Sequence, residues 1–211
     1  MTLVNFLIIA ASAYLLGSLS FAIIVCRVTL HKDIRAYGSG NAGLTNAYRT
    51  MGAGKTAFVL LGDILKGVAA ISIGGMLDGQ LGKLIAGVFV IVGHVFPVYF
   101  GFRGGKGVLV GAVLLALFDW RIFAIAFALF VIIVVLTKWI SLGSICATLT
   151  FPFTTYLFYR DWPMTAIAAG LAAAVVFLHR SNIKRILSGT ENKFSFHGKP
   201  QIEKGKPKIK K

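Results

Sequence analysis

Long stretches of uninterrupted apolar sequence decide most of what this chain can become. They run roughly over Leu3–Val25, Thr56–Leu77, Leu84–Phe102, Gly107–Phe118, Ile122–Thr137, Ile140–Tyr159 and Met164–Leu178. In hydrocarbon every backbone N–H and C=O must be paired inside the protein, so continuous runs of this kind close their bonds as α-helices, and ~20 residues cross a ~30 Å core. A membrane β-barrel needs short alternating segments, and these runs do not alternate. Charged residues make up 14% of the 211 and hydrophobic ones 57%, against about 25% charged in an ordinary soluble domain. The expectation is an all-α, polytopic integral membrane protein of about seven transmembrane helices. Residues 1–198 read as a single transmembrane domain and 199–211 as a basic, disordered cytosolic tail. The first run has no positive segment before it and continues to Val25, so it reads as a retained helix and not a cleaved leader. Gly107–Phe118 is too short to cross alone at ~1.5 Å per residue. Asp119-Trp120-Arg121 reads as a turn, with one long helix over 107–137 as the alternative.

Orientation follows from the distribution of lysine and arginine. With seven spans, Arg27, Lys32, Arg35, Arg49, Lys55, Arg103, Lys106, Lys138 and the ten basic residues from Arg180 onward share one side. Only Lys83, Arg121 and Arg160 fall on the other, and Lys66 lies within a span. The bias predicts an external N-terminus and a cytosolic C-terminus. The net charge of +15 would suggest nucleic acid in a soluble protein. Here the charge is spread between spans and gathered in the tail, where it suits anionic lipid. No nucleic-acid partner is expected. Cys26 and Cys146 show neither metal-site spacing nor a disulfide framework.

Three polar, glycine-containing segments fall on the cytosolic side. The first, 38–49, begins Gly38-Ser39-Gly40-Asn41-Ala42-Gly43 and continues through Thr45 and Asn46 to Arg49. By letter it is a dinucleotide fingerprint, but that motif needs a strand before it and a helix after it, and here it lies between membrane spans. Its glycines can bring backbone N–H groups close to an oxyanion. Ser39, Asn41, Thr45 and Asn46 offer neutral hydrogen bonds, and Arg49 offers a planar fork for phosphate. The second segment carries His94 and Pro97, then Arg103-Gly104-Gly105-Lys106-Gly107 at the start of the next run. Exposed N–H groups at a helix start attract anions, and Lys106 adds a point charge. The full phosphate-loop pattern of nucleotide hydrolases is not met: Phe100 stands where its first glycine belongs, and Gly107 follows the lysine. Gly54-Lys55-Thr56 fails likewise, with Arg49 at the first glycine's place. The third segment runs His179-Arg180-Ser181-Asn182 to Glu191-Asn192-Lys193. The i, i+3 spacing of His179 and Asn182 lets both face one helix side. Asp63 and Lys66, also i, i+3, form a candidate buried pair that stabilises the helix or lends charge to a phosphate site.

Several cations and few carboxylates argue against a divalent-metal site, which needs oxygen ligands. They favour a phosphate-bearing substrate, and an embedded site suits an acyl chain. The three segments, residues 38–49, 93–107 and 179–193 in that order, resemble the signatures of the bacterial acyl-phosphate-dependent glycerol-3-phosphate acyltransferases (PlsY-type), across almost the whole chain. Arg103 and Leu109 stand where that family often has a lysine and a small residue. The resemblance implies attack of the 1-hydroxyl of sn-glycerol 3-phosphate on a fatty acyl-phosphate, giving lysophosphatidate and inorganic phosphate, without cofactor, metal or coenzyme A. This is the first acylation of phospholipid synthesis, at the bacterial cytoplasmic membrane.

On this reading Ser39, Arg49, Lys106, His179 and Asn182 are the catalytic candidates. Gly38, Gly40, Asn41, Thr45, Asn46, Lys66, Gly104, Gly105, Gly107 and Glu191 are the substrate-binding ones. The H-x-x-x-x-D dyad common among glycerolipid acyltransferases is missing: the residues five after His31, His94, His179 and His197 are Ala36, Tyr99, Lys184 and Ile202. An activated donor makes a weaker demand on a base, so charge neutralisation and alignment are expected to dominate. The alternative function is transport of an organic phosphate, which usually brings internal repeats and helices broken at mid-membrane. No such repeat is evident. A structural lipid-anchored scaffold ranks last, because it gives the glycine-rich polar segments no purpose.

Overall fold

A computed structural model describes residues 1–195 and residue 202. The expected tail, 199–211, lies outside the described residues apart from Ile202. Among the described residues there are helices and no strands. The helices are α1 (Leu3–Gly17), α2 (Phe21–Leu30), α3 (Leu44–Val95), α4 (Val108–Phe118), α5 (Trp120–Thr137), α6 (Ile140–Tyr159), α7 (Trp162–Leu178) and α8 (Arg180–Leu187), with 3-10 turns at Ile34–Ala36 and Val98–Phe100. Four stretches are long and apolar enough to cross a membrane: Leu3–Leu30, Leu44–Phe100, Trp120–Thr137 and Ile140–Tyr159. α7 and α8, bent by 56° at their junction, make a fifth when the pair is counted as one span. The packing divides the chain into two compact units, Met1–Val113 and Leu114–Phe196.

In the first unit, α3 is not a straight rod. As one it would extend ~80 Å at ~1.5 Å per residue, far beyond a ~30 Å core. Asp78 (φ −154°) and Gly79 (φ +54°) leave the helical region and fold it into a hairpin. A Cβ on Gly74 would collide with the Gly82 carbonyl, so the two arms touch backbone to backbone beside the turn. A second break, at Gly52 with φ +79°, separates the N-terminal two turns from the first arm. The second and third apolar runs of the sequence are these two arms.

The first apolar run is also divided. α1 ends at Gly17, and α2 starts only after the extended residue Ser20. α1 packs against the second arm of α3 through the Phe6–Phe89 ring contact and, further along, through close approach at two glycines. A Cβ on Gly17 would meet the Val90 carbonyl, and one on Gly93 would meet that of Tyr14. Small residues let membrane helices approach this closely, and dispersion along the seam replaces the absent hydrophobic drive. α2 packs on the first arm, where the Phe21 ring occupies the space a side chain at Gly62 would need. Ala22, Ile23, Cys26, Ile34, Ala42, Ala47, Met51 and Val59 form a buried cluster beside these contacts.

In the second unit, the expected turn at 119–121 forms and the alternative single helix over 107–137 does not. Asp119 adopts φ −158°, ψ 116° and caps α5, its Oδ1 accepting the Arg121 N–H at 2.9 Å. Arg121 side-chain nitrogens and the Tyr159 hydroxyl also donate to this carboxylate, at 2.7 Å and 3.1 Å from their nearest atoms. The Arg121 bonds come first in holding Asp119 down to about 2, over the opposing effect of burial. Phe118 packs its ring on Phe151 and Tyr159. α5 leaves Trp120, Phe127, Ile132, Val135 and Leu136 more than half exposed, as suits a helix facing lipid.

Candidate active site

The first loop is organised by one side chain. Asn46 is buried, and its Oδ1 accepts the Ser39 N–H at 2.9 Å. Its Nδ2 donates to the carbonyls of Asn41 at 2.9 Å and Tyr37 at 3.1 Å. Gly38 (φ +61°) and Gly40 (φ +75°) supply the left-handed residues that curl the backbone around this amide. A side chain at Gly38 would strike Asn46 Oδ1. α3 then begins at Leu44 without a side-chain cap, so its first-turn N–H groups suit an anion. Ser39 is exposed at the crest of the loop, while Asn41, Thr45 and Arg49 are half-buried.

The second loop is joined to the first. Its backbone returns on the end of α3 through Gly104 N–H to the Val95 carbonyl and Gly105 N–H to the His94 carbonyl, both 3.0 Å. Ala42 of the first loop donates to the Gly104 carbonyl at 3.4 Å. Arg35 ties the same two segments: Nη1 donates to the carbonyls of Phe100 at 2.7 Å and Arg103 at 3.1 Å. Asp33 holds this guanidinium at 2.8 Å. Burial alone would raise the Asp33 carboxyl, but bonds from Arg35 and Arg27 outweigh it and hold the group down to about 2. Packing alone requires glycine at 104 and 105. A Cβ on Gly104 would strike the His94 carbonyl, and one on Gly105 the His94 ring. Lys106 follows, half-buried, and Gly107 (φ +78°) turns the chain into α4.

Beneath this loop Lys66 is enclosed. Its Nζ lies 2.7 Å from Asp63 Oδ1, 2.7 Å from the Leu19 carbonyl and 3.0 Å from His94 Nδ1. The ammonium bonds to the Leu19 carbonyl and His94 Nδ1 and pairs by charge with Asp63. Leu19 contributes a backbone acceptor because the α1–α2 break releases its carbonyl from a helix.

In the second unit, the bend between α7 and α8 carries His179 at its apex. The ring is buried, with Nδ1 2.8 Å from the Val175 carbonyl. That contact assigns the proton to Nδ1 and makes Nε2 the basic nitrogen. Asn182 is buried and donates to Glu191 Oε1 at 2.7 Å. Ser141 donates to the same oxygen at 2.7 Å, and Arg185 Nε to Oε2 at 2.7 Å. Burial would raise Glu191, but the Asn182, Ser141 and Arg185 bonds prevail and lower it.

The residues singled out from sequence thus fall into two groups. Gly38, Ser39, Gly40, Asn41, Thr45, Asn46, Arg49, Lys66, Gly104, Gly105, Lys106 and Gly107 belong to the first unit; His179, Asn182 and Glu191 belong to the second. Asn46, Lys66 and Glu191 all bond to protein groups. Sequence reasoning passed over Arg35, Asp33 and Ser141. Arg35 counted only as a topology signal, and nothing local to Ser141 points fifty residues ahead. Among the described residues, no cluster of three or more His, Cys, Asp or Glu could hold a metal ion.

Residues 7–189 match the family profile described as glycerol-3-phosphate acyltransferase. A relative of that name from Thermoanaerobacter sp. (strain X514) is 44% identical over 87% of this chain and 93% of its own. Glycerol-3-phosphate acyltransferase 2 of Bacillus anthracis is 39% identical over 86% of this chain and 95% of its own. A crystal structure of PlsY, an integral membrane glycerol 3-phosphate acyltransferase, in its glycerol 3-phosphate form superposes with a TM-score of 0.84 at 30% identity, covering 90% of this chain and 96% of that one. The lysophosphatidic acid form gives 0.81 at 29% identity, covering 92% and 97%. With a family match over most of its length and relatives this similar, the chain belongs to the glycerol-3-phosphate acyltransferase family.

Proposed function

We propose that this chain transfers a fatty acyl group from an acyl-phosphate to the 1-hydroxyl of sn-glycerol 3-phosphate, in the first acylation of phospholipid synthesis. The hydroxyl oxygen attacks the acyl carbonyl, the C–O bond to the leaving phosphate breaks, and the products are lysophosphatidate and inorganic phosphate. The observation that carries the reading is the union of the two glycine loops through Ala42, Gly104 and Arg35, which joins the segments bearing Arg49 and Lys106 beside the uncapped start of α3. Such an arrangement neutralises phosphate without a metal or coenzyme A. Arg49 and Lys106 take up phosphate charge, with Gly104, Gly105 and Gly107 letting the loop backbone come close to it; Ser39, His179 and Asn182 position glycerol 3-phosphate. The hydroxyl proton goes to His179 Nε2 or to a phosphate oxygen of the substrate. The reading includes about seven spans, an external N-terminus, and a site on the cytosolic face of the bacterial inner membrane.

The direct test incubates purified protein with acyl-phosphate and glycerol 3-phosphate, without metal or coenzyme A. Equal amounts of phosphate and lysophosphatidate are expected. Uptake of glycerol 3-phosphate into proteoliposomes with no phosphate release would favour the transporter instead. Lys106→Ala should lower turnover about 10²–10³-fold, the usual cost of one charge-stabilising donor. His179→Ala decides the proton's route: near-normal turnover removes the histidine, and a loss of about 10²–10⁴-fold supports it.

A further inference from the structure

The buried group at the centre of the first unit has no part in the chemistry above. Lys66 and Asp63 sit on the first arm of the α3 hairpin, His94 near the end of the second, and Leu19 in the α1–α2 break. Lys66, Asp63 and His94 are each under 5% exposed. An ion pair in such a place costs several kcal/mol of desolvation per charge in general, and the helices around it could pack on apolar side chains instead. Its geometry points toward the loop above it. Lys66 fixes the His94 ring through Nδ1 at 3.0 Å. The edge of that ring bearing Nε2 lies where any side chain on Gly105 would have to go, and the His94 carbonyl holds the Gly105 N–H at 3.0 Å. Lys106 is the next residue.

We infer that the Asp63–Lys66–His94 cluster is a positioning device that sets the Gly104–Gly105 backbone, and through it Lys106, without touching substrate. The order of contacts is short and continuous: carboxylate and Leu19 carbonyl to ammonium, ammonium to imidazole, imidazole and its own carbonyl to the glycine pair. A glycine pair lacks side chains to restrain it, so its conformation has to be imposed from outside. A displacement of about 1 Å in a catalytic group can cost about a hundredfold in rate. The Lys66 ammonium gives the His94 ring a directional partner at Nδ1, which apolar packing would not supply.

This inference rests on the acyl-transfer reading for its kinetic arm but not for its structural one. The test uses the full-length protein in detergent. Lys66→Met keeps the length of the side chain and removes the ammonium; Asp63→Asn/Lys66→Met also removes the carboxylate left behind, so it folds where the single variant does not. Hydrogen exchange followed by mass spectrometry should rise at least tenfold in peptides covering 103–107 and stay unchanged in peptides from α5. The turnover number should fall tenfold or more, with KM for glycerol 3-phosphate within threefold of wild type. Unchanged exchange at 103–107, or a uniform rise along the chain, overturns the positioning role. So does a raised KM with exchange unaltered, which would make Lys66 a phosphate ligand. If wild-type protein releases no lysophosphatidate, the acyl-transfer reading fails, and the exchange result still judges the cluster.

Discussion

Asn46 shows how much of a glycine-rich loop can depend on a residue that faces away from solvent. Its amide is used on both sides, accepting from Ser39 and donating to Asn41 and Tyr37. Asn46→Ala would leave a backbone N–H and two carbonyls without their side-chain partner, at about 1–3 kcal/mol for each buried group left unsatisfied. We expect a lower thermal midpoint and a turnover reduced more than tenfold; an unaltered rate would show that the loop keeps its shape unaided. Asp33 adds a pH dependence. Its carboxyl lies at about 2 in the folded chain against an ordinary 3.8. A lowered folded-state value contributes stability that is complete above about pH 4 and is lost as the pH falls toward 2. The thermal midpoint of wild type should therefore drop across that interval more steeply than that of Asp33→Asn. An identical acid profile in both would remove Asp33 from the account.

At the scale of elements, the helices were legible and the breaks mostly were not. Apolar runs mark α5, α6 and α7 to within a few residues, because hydrocarbon tolerates no other solution for the backbone. Asp119 announced its turn, since a carboxylate is out of place in a helix facing lipid. The α1–α2 break at Ser18-Leu19-Ser20 was hidden: a Leu between two serines reads as continued helix, and what rewards the break is Lys66, 47 residues away. Asp63 and Lys66 were recognisable as partners from spacing alone. His94 as their third member was not, because only the hairpin at Asp78–Gly79 brings the two arms of α3 together. The exposed face of α5 carries its own expectation. Ala128, exposed near the middle of that helix, should resist Ala128→Lys by about 2.5–3.5 kcal/mol of insertion free energy. Less membrane-integrated protein should be recovered; equal recovery would mean that this face meets water or protein.

For the whole molecule, sequence gave sidedness a definite form that labelling can check. Cysteine replacements at Lys83 and Arg160 should react with an impermeant thiol reagent from outside the cell, and replacements at Lys32 and Lys184 only after permeabilisation. The reverse pattern would turn the proposed site outward. The three polar segments could be chosen from sequence because polar groups are conspicuous in so apolar a chain. Which polar side chains meet ligand and which hold the protein in shape was not readable there: Asn46, Lys66 and Glu191 look like ligands by type, yet Asn46 is taken up by its own loop, Lys66 by Leu19 and His94, and Glu191 by Ser141, Asn182 and Arg185.

The bare-backbone contact of Gly17 with Val90, and of Gly93 with Tyr14, has a mechanical corollary. Where two backbones meet with nothing between them, neither helix can take on bulk at that point without parting from the other. A larger residue at Gly17 or Gly93 should therefore pry α1 from the second arm of α3.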